Sequence, residues 1–276
     1  MGGLGNQMFQ FAAGKALALR LGTECKVDVE FLNADSKGAY TQRKYELNVF
    51  DSNIEVADKK EIENALRSSL FSGILSKPKL YREKEHDFNE EILRLKDGTY
   101  LEGYWQSEKY FKQFEKEIRL AYKFKNEFIA GTEALLQRMK SSNSVSIHVR
   151  RGDYVTLPSA SSFHGTCSPQ YYKAALTQLN LKHKDIKAFV FSDDLDWCRT
   201  NLTLGDCEFV ETGSAYKDMY LMQNCKHNII ANSSFSWWAA WLNMNSEKMV
   251  ITPKKWFNDT TIKIKDIYPE SWIKVE

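Results

Sequence analysis

The sequence lacks the features that identify a disulfide-stapled or metal-binding protein. Its five cysteines are odd in number and form no CxxC pair, which argues against a disulfide framework or a zinc site. Free thiols in a reducing compartment fit this pattern better. The metalloprotease motif HExxH and the nucleophile elbow are both absent, and we recognise no D-x-D metal clamp, so we expect neither a metal cofactor nor metal catalysis.

The sequence also lacks an excess charge and a long apolar run. In its 276 residues, 38 Lys and Arg stand against 36 Asp and Glu, a net charge of +2, so nucleic acid is not an expected partner. One local basic pocket remains compatible with this balance. The longest apolar stretch is shorter than a membrane span, and we see no signal peptide. We expect a globular protein of the cytoplasm.

The second half of the chain alternates between apolar β segments and amphipathic helices. Such alternation predicts a parallel, doubly wound α/β sheet. The predicted strands are Val145–Val149, Lys187–Phe191, Glu208–Val210, Asn228–Ala231 and Met249–Thr252. In the first half, helices are predicted at Met8–Leu21, Asp58–Leu70 and Glu127–Lys140, with strands at Cys25–Val29 and Tyr100–Tyr104. We expect domains at 1–140 and 141–250, with a tail, 251–276, that packs back on the first domain.

The segment SIHVRRGDY, residues 146–154, is the strongest local motif. A strand runs directly into two arginines, and ligands of open α/β sheets bind at the carboxyl ends of strands. Alternation places His148 and Arg150 on the same side of the strand. An arginine fork at this place matches a pyrophosphate. The alternative is a structural salt bridge between Arg150 and Asp153.

A second motif, Asn232-Ser233-Ser234-Phe235, opens a helix directly after a predicted strand. The first turn of a helix presents unpaired N–H groups and the positive end of the dipole, which suits a phosphate. The alternative use of Ser and Asn here is ordinary N-capping.

Carboxylates supply the third motif. Asp193 and Asp194 follow a strand, where they can accept hydrogen bonds from a ribose or a base; N-capping of the next helix is the alternative. Asp218 lies on a later helix, and its alternative is a solvated helix face.

Near the chain start, GGLGNQ fits neither the dinucleotide fingerprint nor Walker A, although its glycines permit close approach of a ligand.

Three segments together resemble the α-1,2-fucosyltransferases of glycosyltransferase family 11. They are GGLGNQMFQFAAGKALA at the start, SIHVRRGDYV, and IIANSSFSWWAAWLN, and FHGTCS adds to the likeness. The resemblance implies an α/β, GT-B-like protein with two Rossmann-like domains that face a cleft. It further implies an inverting, metal-independent enzyme that transfers L-fucose from GDP-β-L-fucose to the 2-hydroxyl of a galactoside.

The resemblance also assigns roles. Arg150 would hold the donor β-phosphate, with Arg151 supporting it, and Asp153 would be the general base, with Glu102 and His164 as alternatives. The remaining donor-binding residues would be His148, Asp194, Asp218 (as a reader of guanine), Asn232, Ser233, Ser234, Phe235, Asn6 and Gln7. The implied partners are GDP-fucose and a galactose-containing oligosaccharide or lipid-linked glycan, with peripheral association at the inner membrane as a further expectation.

Two other classes of function stay open at this point. One is a nonenzymatic sugar- or nucleotide-binding module, in which the aromatic residues (13% of the chain) would form a stacking platform. The other is a glycosyltransferase that uses another activated sugar or makes another fucose linkage.

Overall fold

The computed structural model describes residues 1–33, 43–66, 80–259, 261–262 and 264–276. The chain forms two compact units. Unit 1 comprises Met1–Lys123 and Lys263–Pro269, and unit 2 comprises Phe124–Ile262 and Glu270–Glu276.

Unit 1 is built around one long helix and two small parallel sheets. Its helices and strands are α1 (Leu4–Leu21), β1 (Lys26–Val27), α2 (Glu30–Asn33), β2 (Glu55–Val56), α3 (Lys59–Leu66), β3 (Leu80–Arg82), β4 (Tyr100–Glu102) and α4 (Glu115–Ala121). β1 pairs with β2, and β3 pairs with β4. α1 ends at Gly22, whose φ of 69° places it in the left-handed region that favours glycine at a helix C-terminus.

Unit 2 contains a six-stranded parallel sheet. Its elements are α5 (Asn126–Ile129), α6 (Glu133–Ser141), β5 (Asn143–Val149), α7 (Gly152–Thr156), α8 (Pro158–His164), α9 (Pro169–Asn180), β6 (Ile186–Ser192), α10 (Leu195–Asn201), β7 (Cys207–Phe209), α11 (Ala215–Gln223), β8 (His227–Ile229), α12 (Ser234–Leu242), β9 (Val250–Pro253) and β10 (Ile273–Val275). The strand order is β10-β9-β8-β5-β6-β7, which is the Rossmann order 6-5-4-1-2-3. The predicted α/β class is therefore confirmed.

The core of unit 2 explains why its strands are apolar in sequence. A parallel sheet covered on both faces buries both sides of each strand, and the consecutive residues Ala188, Phe189, Val190 and Phe191 of β6, which point alternately to the two faces, are at most 1% exposed. Trp237 and Trp238 of α12 are fully buried. These tryptophans therefore belong to the core.

The structure corrects several predicted elements. The predicted helix Glu127–Lys140 is two helices, α5 and α6, because Gly131 between them has a φ of 84°. Residues 67–70 of the predicted helix Asp58–Leu70 lie outside the described residues. The sheet has a sixth strand, β10, where five were predicted, and the short helices α7 and α8 were not predicted.

The limits of the units differ from the expected domains. Unit 2 begins at Phe124 rather than at residue 141, because the aromatic residues near its start pack inside it: Phe124 lies against Tyr220, and Phe128 against Tyr216. The expected tail divides between the units. β9 and β10 pair within the sheet of unit 2, whereas Lys263–Pro269 belong to unit 1.

Candidate active site

The strand order of unit 2 creates one place where a ligand is expected. The chain runs from β5 outward through β6 and β7, then returns to the other side of β5 as β8. This is a topological switch point, and ligands of such sheets bind outside the carboxyl ends of the strands there. Ile147 pairs with Ile229 across β5 and β8, so the turns that begin at Arg150 and Asn232 leave the sheet at the same level.

Arg150 lies at this switch point between two carboxylates. Its Nη2 is 2.5 Å from Asp153 Oδ1 and its Nη1 is 2.7 Å from Asp193 Oδ2. The guanidinium carbon lies 5.4 Å from the ring centre of Tyr154. The Arg150 side chain keeps 24% of its surface exposed. The salt bridge with Asp153 exists, and it leaves a fixed, partly exposed cation at the strand end.

Arg151 points to different partners, as alternation along an extended chain requires. Its Nε donates to Asp194 Oδ2 at 3.0 Å, and its guanidinium lies 3.9 Å from the ring centre of Trp197. The side chain is 15% exposed. Arg151 is thus sequestered in a stacked ion pair, with less of its surface open than Arg150 has.

Asp194 acts as an N-cap in this structure, which is the alternative that the sequence left open. Its Oδ1 accepts the Trp197 N–H at 3.1 Å, and Oδ2 pairs with Arg151. No described contact supports the predicted donor-binding role of Asp194. Contrary to the expectation from the sequence, Asp194-Leu195-Asp196 has the D-x-D spacing of a metal clamp. The Asp196 side chain is fully exposed and contacts Arg199, so the two carboxylates do not converge.

His148 and the first turn of α12 face each other across the switch point. The ring of His148 lies 5.5 Å from that of Phe235. The His148 side chain is 6% exposed, and its Nδ1 has no hydrogen-bond partner in the described part of the protein. Burial lowers the pKa of His148 to about 4, so the imidazole is neutral at pH 7. A buried ring nitrogen without a partner at this place can serve a ligand.

Ser233 occupies the N-cap position of α12 without making the usual capping bond. Within the described residues its hydroxyl accepts no N–H from the first turn. That turn carries no acidic residue, and Ser234 and Phe235 are partly exposed. The hydroxyl of Ser233 and the N–H groups at this positive helix end are therefore available to an anion.

Asn232 is committed to the protein. Its amide nitrogen donates to the carbonyl oxygens of His164 at 2.9 Å and Trp256 at 3.1 Å, and its amide oxygen lies 3.6 Å from Cys167 Sγ. The side chain is 4% exposed and connects its own loop with the loops that contain Cys167 and Trp256. The described contacts give Asn232 a structural role, and its predicted contact with the donor stays a prediction.

His164, an alternative candidate for the general base, contacts Asn232 through its carbonyl and packs against Tyr154. Its ring stacks on Tyr154 with centres 4.5 Å apart and planes inclined by 3°. Burial lowers the pKa of His164 to about 4. Its buried Nδ1 has no partner in the regions that the structure describes.

Asp218 is not on a solvated helix face. It lies in the first turn of α11 and accepts the Thr212 hydroxyl at 2.6 Å. Burial raises the pKa of Asp218 to about 6. A partly buried carboxylate held by one hydroxyl keeps acceptor capacity for a ligand with paired N–H donors, as on guanine.

The predicted site residues of unit 1 are engaged within that unit. The Gln7 amide donates to the carbonyls of Gly2 at 2.9 Å and Lys44 at 2.8 Å and accepts the Glu46 N–H at 2.9 Å. At 3% exposure, Gln7 holds the glycine loop, so the structure gives its predicted donor contact no support. Asn6 accepts from Gln106 at 2.9 Å. Glu102 pairs with Arg82 at 3.0 Å.

A cavity of about 610 Å³ lies in unit 1, and neither Arg150 nor Arg151 lines it. Consecutive residues of β1 and of the chain through β4 line it. Since side chains alternate along a strand, consecutive lining residues mean that the strand edges face the cavity. Tyr100 donates to Asp28 at 2.6 Å beside it. Of the predicted site residues, only Gln7 and Glu102 line this cavity.

Comparison with known proteins shows the family to which the chain belongs. The family model for glycosyl transferase family 11 matches residues 2–276, and the chain belongs to this family. An alpha-1,2-colitosyltransferase of Escherichia coli is 34% identical, with 100% of this chain and 97% of that protein covered. The O-antigen biosynthesis glycosyltransferase WbnK of Escherichia coli is also 34% identical, over 99% of this chain and 98% of that protein.

Two weaker similarities are to a eukaryotic enzyme and to a solved structure. Galactoside alpha-(1,2)-fucosyltransferase 1 of Leontocebus fuscicollis is 29% identical over 57% of this chain and 47% of that protein. The crystal structure of POFUT1 in complex with GDP-fucose shares 11% identity and a TM-score of 0.42, over 90% of this chain and 93% of that one. The family model and the two full-length bacterial relatives make the protein a family 11 glycosyltransferase. None of its described helices has the length and apolarity needed to cross a bilayer.

Proposed function

We propose that the protein transfers L-fucose from GDP-β-L-fucose to the 2-hydroxyl of a galactoside, with inversion, to give an α-1,2-linked product. The observation that carries the proposal is the Arg150 guanidinium at the switch point, with the open first turn of α12 on the neighbouring strand connection. A cation and a helix N-terminus together suit a pyrophosphate. Family membership supplies the sugar-transfer chemistry.

In this proposal Arg150 neutralises the charge that develops on the leaving GDP. A preorganised donor at such a position stabilises the transition state more than the ground state. Asp153 takes the proton of the acceptor hydroxyl as the new glycosidic bond forms and the bond to the phosphate oxygen breaks. Asp153 is paired with Arg150, so this role requires the donor phosphate to compete with Asp153 for the guanidinium.

We further propose that the reaction needs no divalent metal. The absence of a D-x-D sequence does not support this, since Asp194-Leu195-Asp196 has that spacing; the support is that Asp194 is an N-cap and Asp196 points to solvent. A rate of transfer in excess EDTA equal to the rate without EDTA would agree with this proposal. Loss of transfer in EDTA and its restoration by Mn²⁺ would contradict the proposal.

Colitosyl transfer is the second candidate. It is favoured by one observation, the full-length similarity to an alpha-1,2-colitosyltransferase. The same arginine and helix N-terminus would serve either donor, because the two sugars differ away from the pyrophosphate. The site of action would be the cytoplasm for both, with an oligosaccharide or lipid-linked glycan as acceptor.

One experiment tests both candidates. The purified protein is incubated with GDP-fucose or GDP-colitose and a panel of galactosides, and the products are analysed for linkage. An α-1,2-fucosylated galactoside as the main product supports the proposal, and a preference for GDP-colitose supports the second candidate. Binding of GDP without transfer from either donor would point to another activated sugar or to a nonenzymatic binding module.

A further inference from the structure

Asp193 makes two contacts that link the arginines of the site. It follows β6 directly, and the pairing of Val149 with Ser192 brings it beside the chain that leaves β5. Its Oδ2 lies 2.7 Å from Arg150 Nη1. Its Oδ1 accepts the backbone N–H of Arg151 at 2.8 Å. One carboxylate thus holds the side chain of the first arginine and the backbone of the second.

The glycine of the RRGD segment makes room for this carboxylate. A Cβ on Gly152 would stand 2.5 Å from Asp193 Oδ2 and 3.0 Å from its Cγ, closer than nonbonded atoms approach. Gly152 does not have a positive φ, so its backbone conformation does not require glycine. The requirement for glycine is steric, because a side chain at position 152 would collide with the Asp193 carboxylate.

Asparagine cannot replace this carboxylate. Both oxygens of Asp193 accept hydrogen bonds from N–H groups, whereas an amide offers one oxygen and one NH₂. In Asp193→Asn, the NH₂ would face either the Arg150 guanidinium or the Arg151 N–H, donor against donor. Only one of the two contacts can survive.

We infer that Asp193 is a positioning residue that fixes the Arg150 guanidinium and the Arg151 turn for binding of the donor pyrophosphate. The inference rests on the proposed function. It makes Asp193 act through Arg150 and not by contact with the sugar or the base. Misplacing a binding group by about 1 Å costs on the order of a hundredfold in rate, so Asp193→Asn should lower kcat/KM for GDP-fucose by about that factor.

The decisive measurement compares GDP with guanosine. If Asp193 positions the arginines, Asp193→Asn weakens GDP binding at least tenfold and leaves guanosine binding within twofold, because guanosine has no phosphate. Gly152→Ala should produce the same selective loss, since it displaces the carboxylate without removing its charge. Asp196→Asn is the matched control: it removes an exposed carboxylate three residues away and should change neither affinity.

Three results would overturn the inference. Equal loss of GDP and guanosine affinity in Asp193→Asn would assign Asp193 to the fold, and a melting temperature lowered in parallel would agree with that assignment. GDP affinity and turnover within twofold of the unmodified protein would show that Asp193 does not position the arginines. A normal Gly152→Ala variant would refute the steric argument. If the unmodified protein binds no GDP, the proposed function fails instead, and the two failures are distinct.

Discussion

Arg150→Lys should be the most damaging conservative substitution in unit 2. The two terminal nitrogens of Arg150 reach two separate carboxylates, Asp153 at 2.5 Å and Asp193 at 2.7 Å. Lysine has a single nitrogen on a flexible stem, so it keeps the charge but cannot hold both partners or present two parallel N–H groups to phosphate oxygens. Loss of one transition-state donor costs about 10²–10³ in kcat, or roughly 3–4 kcal/mol. We expect Arg150→Lys to lose at least a hundredfold.

Steady-state kinetics with GDP-fucose and a galactoside, beside GDP affinity by calorimetry, test this expectation. Arg199→Lys is the matched control, because Arg199 pairs with the exposed carboxylates Asp196 and Glu211 and lies 5.4 Å from the ring centre of Phe209, and it should tolerate the change. Arg151→Lys should fall between the two, since its guanidinium stacks on Trp197. Turnover of Arg150→Lys within a few-fold of the unmodified protein would refute the role of the fork.

Three further predictions concern separate parts of unit 2. Asp153→Asn should abolish transfer while GDP affinity stays within a few-fold by calorimetry; near-normal turnover would exclude Asp153 as the base. Because burial raises the pKa of Asp218 to about 6, its acceptor carboxylate is lost as pH falls below that value, so GDP affinity should drop between pH 7 and 5. Asp218→Asn should bind GDP weakly at pH 7, and the remaining pH dependence of its GDP affinity should come from the phosphate alone. If GDP affinity depends on pH in this variant as it does in the unmodified protein, Asp218 does not bind the donor. Lys248 donates to the carbonyls of Ala240 and Asn243 at the end of α12. Lys248→Met should therefore lower the free energy of unfolding by about 1–2 kcal/mol, measured by urea titration, without changing kcat. An unaltered unfolding midpoint would show that this helix cap does not stabilise the protein.

The sequence predicts the sheet of unit 2 well for a physical reason. Strands buried on both faces are mostly apolar, and the connecting helices begin at recognisable caps, so both leave local marks. Ser168-Pro169 shows this, since the pair is a typical N-cap followed by Pro at the first helical position, and the Ser168 hydroxyl accepts the Tyr171 N–H at the start of α9. β10 was not predicted because this edge strand is only partly buried and stands outside the alternation of strands and helices. Its pairing of Ile273 with Ile251 depends on tertiary structure.

The side-chain partners within the site could not be predicted in the same way. Asn232, Gln7 and Asp194 were chosen because polar residues near strand ends and glycine loops often bind ligands. Whether such a group is available depends on the backbone carbonyls and N–H groups that the tertiary structure brings to it. The amide of Asn232 meets carbonyls 68 and 24 residues away, and no local pattern encodes those distances.

Asp193 shows how strand register decides which of two adjacent carboxylates serves the site. Both Asp193 and Asp194 end the same strand, and residue type cannot distinguish them. The pairing of Val149 with Ser192 sets Asp193 beside the Arg150 side chain and the Arg151 N–H, and it leaves Asp194 to cap α10 and pair with the Arg151 side chain. A shift of one residue would exchange the two faces of β6 and bring the wrong carboxylate to Arg150. The chemistry assigned to the RRGD segment therefore depends on the register between β5 and β6 as much as on the arginines themselves.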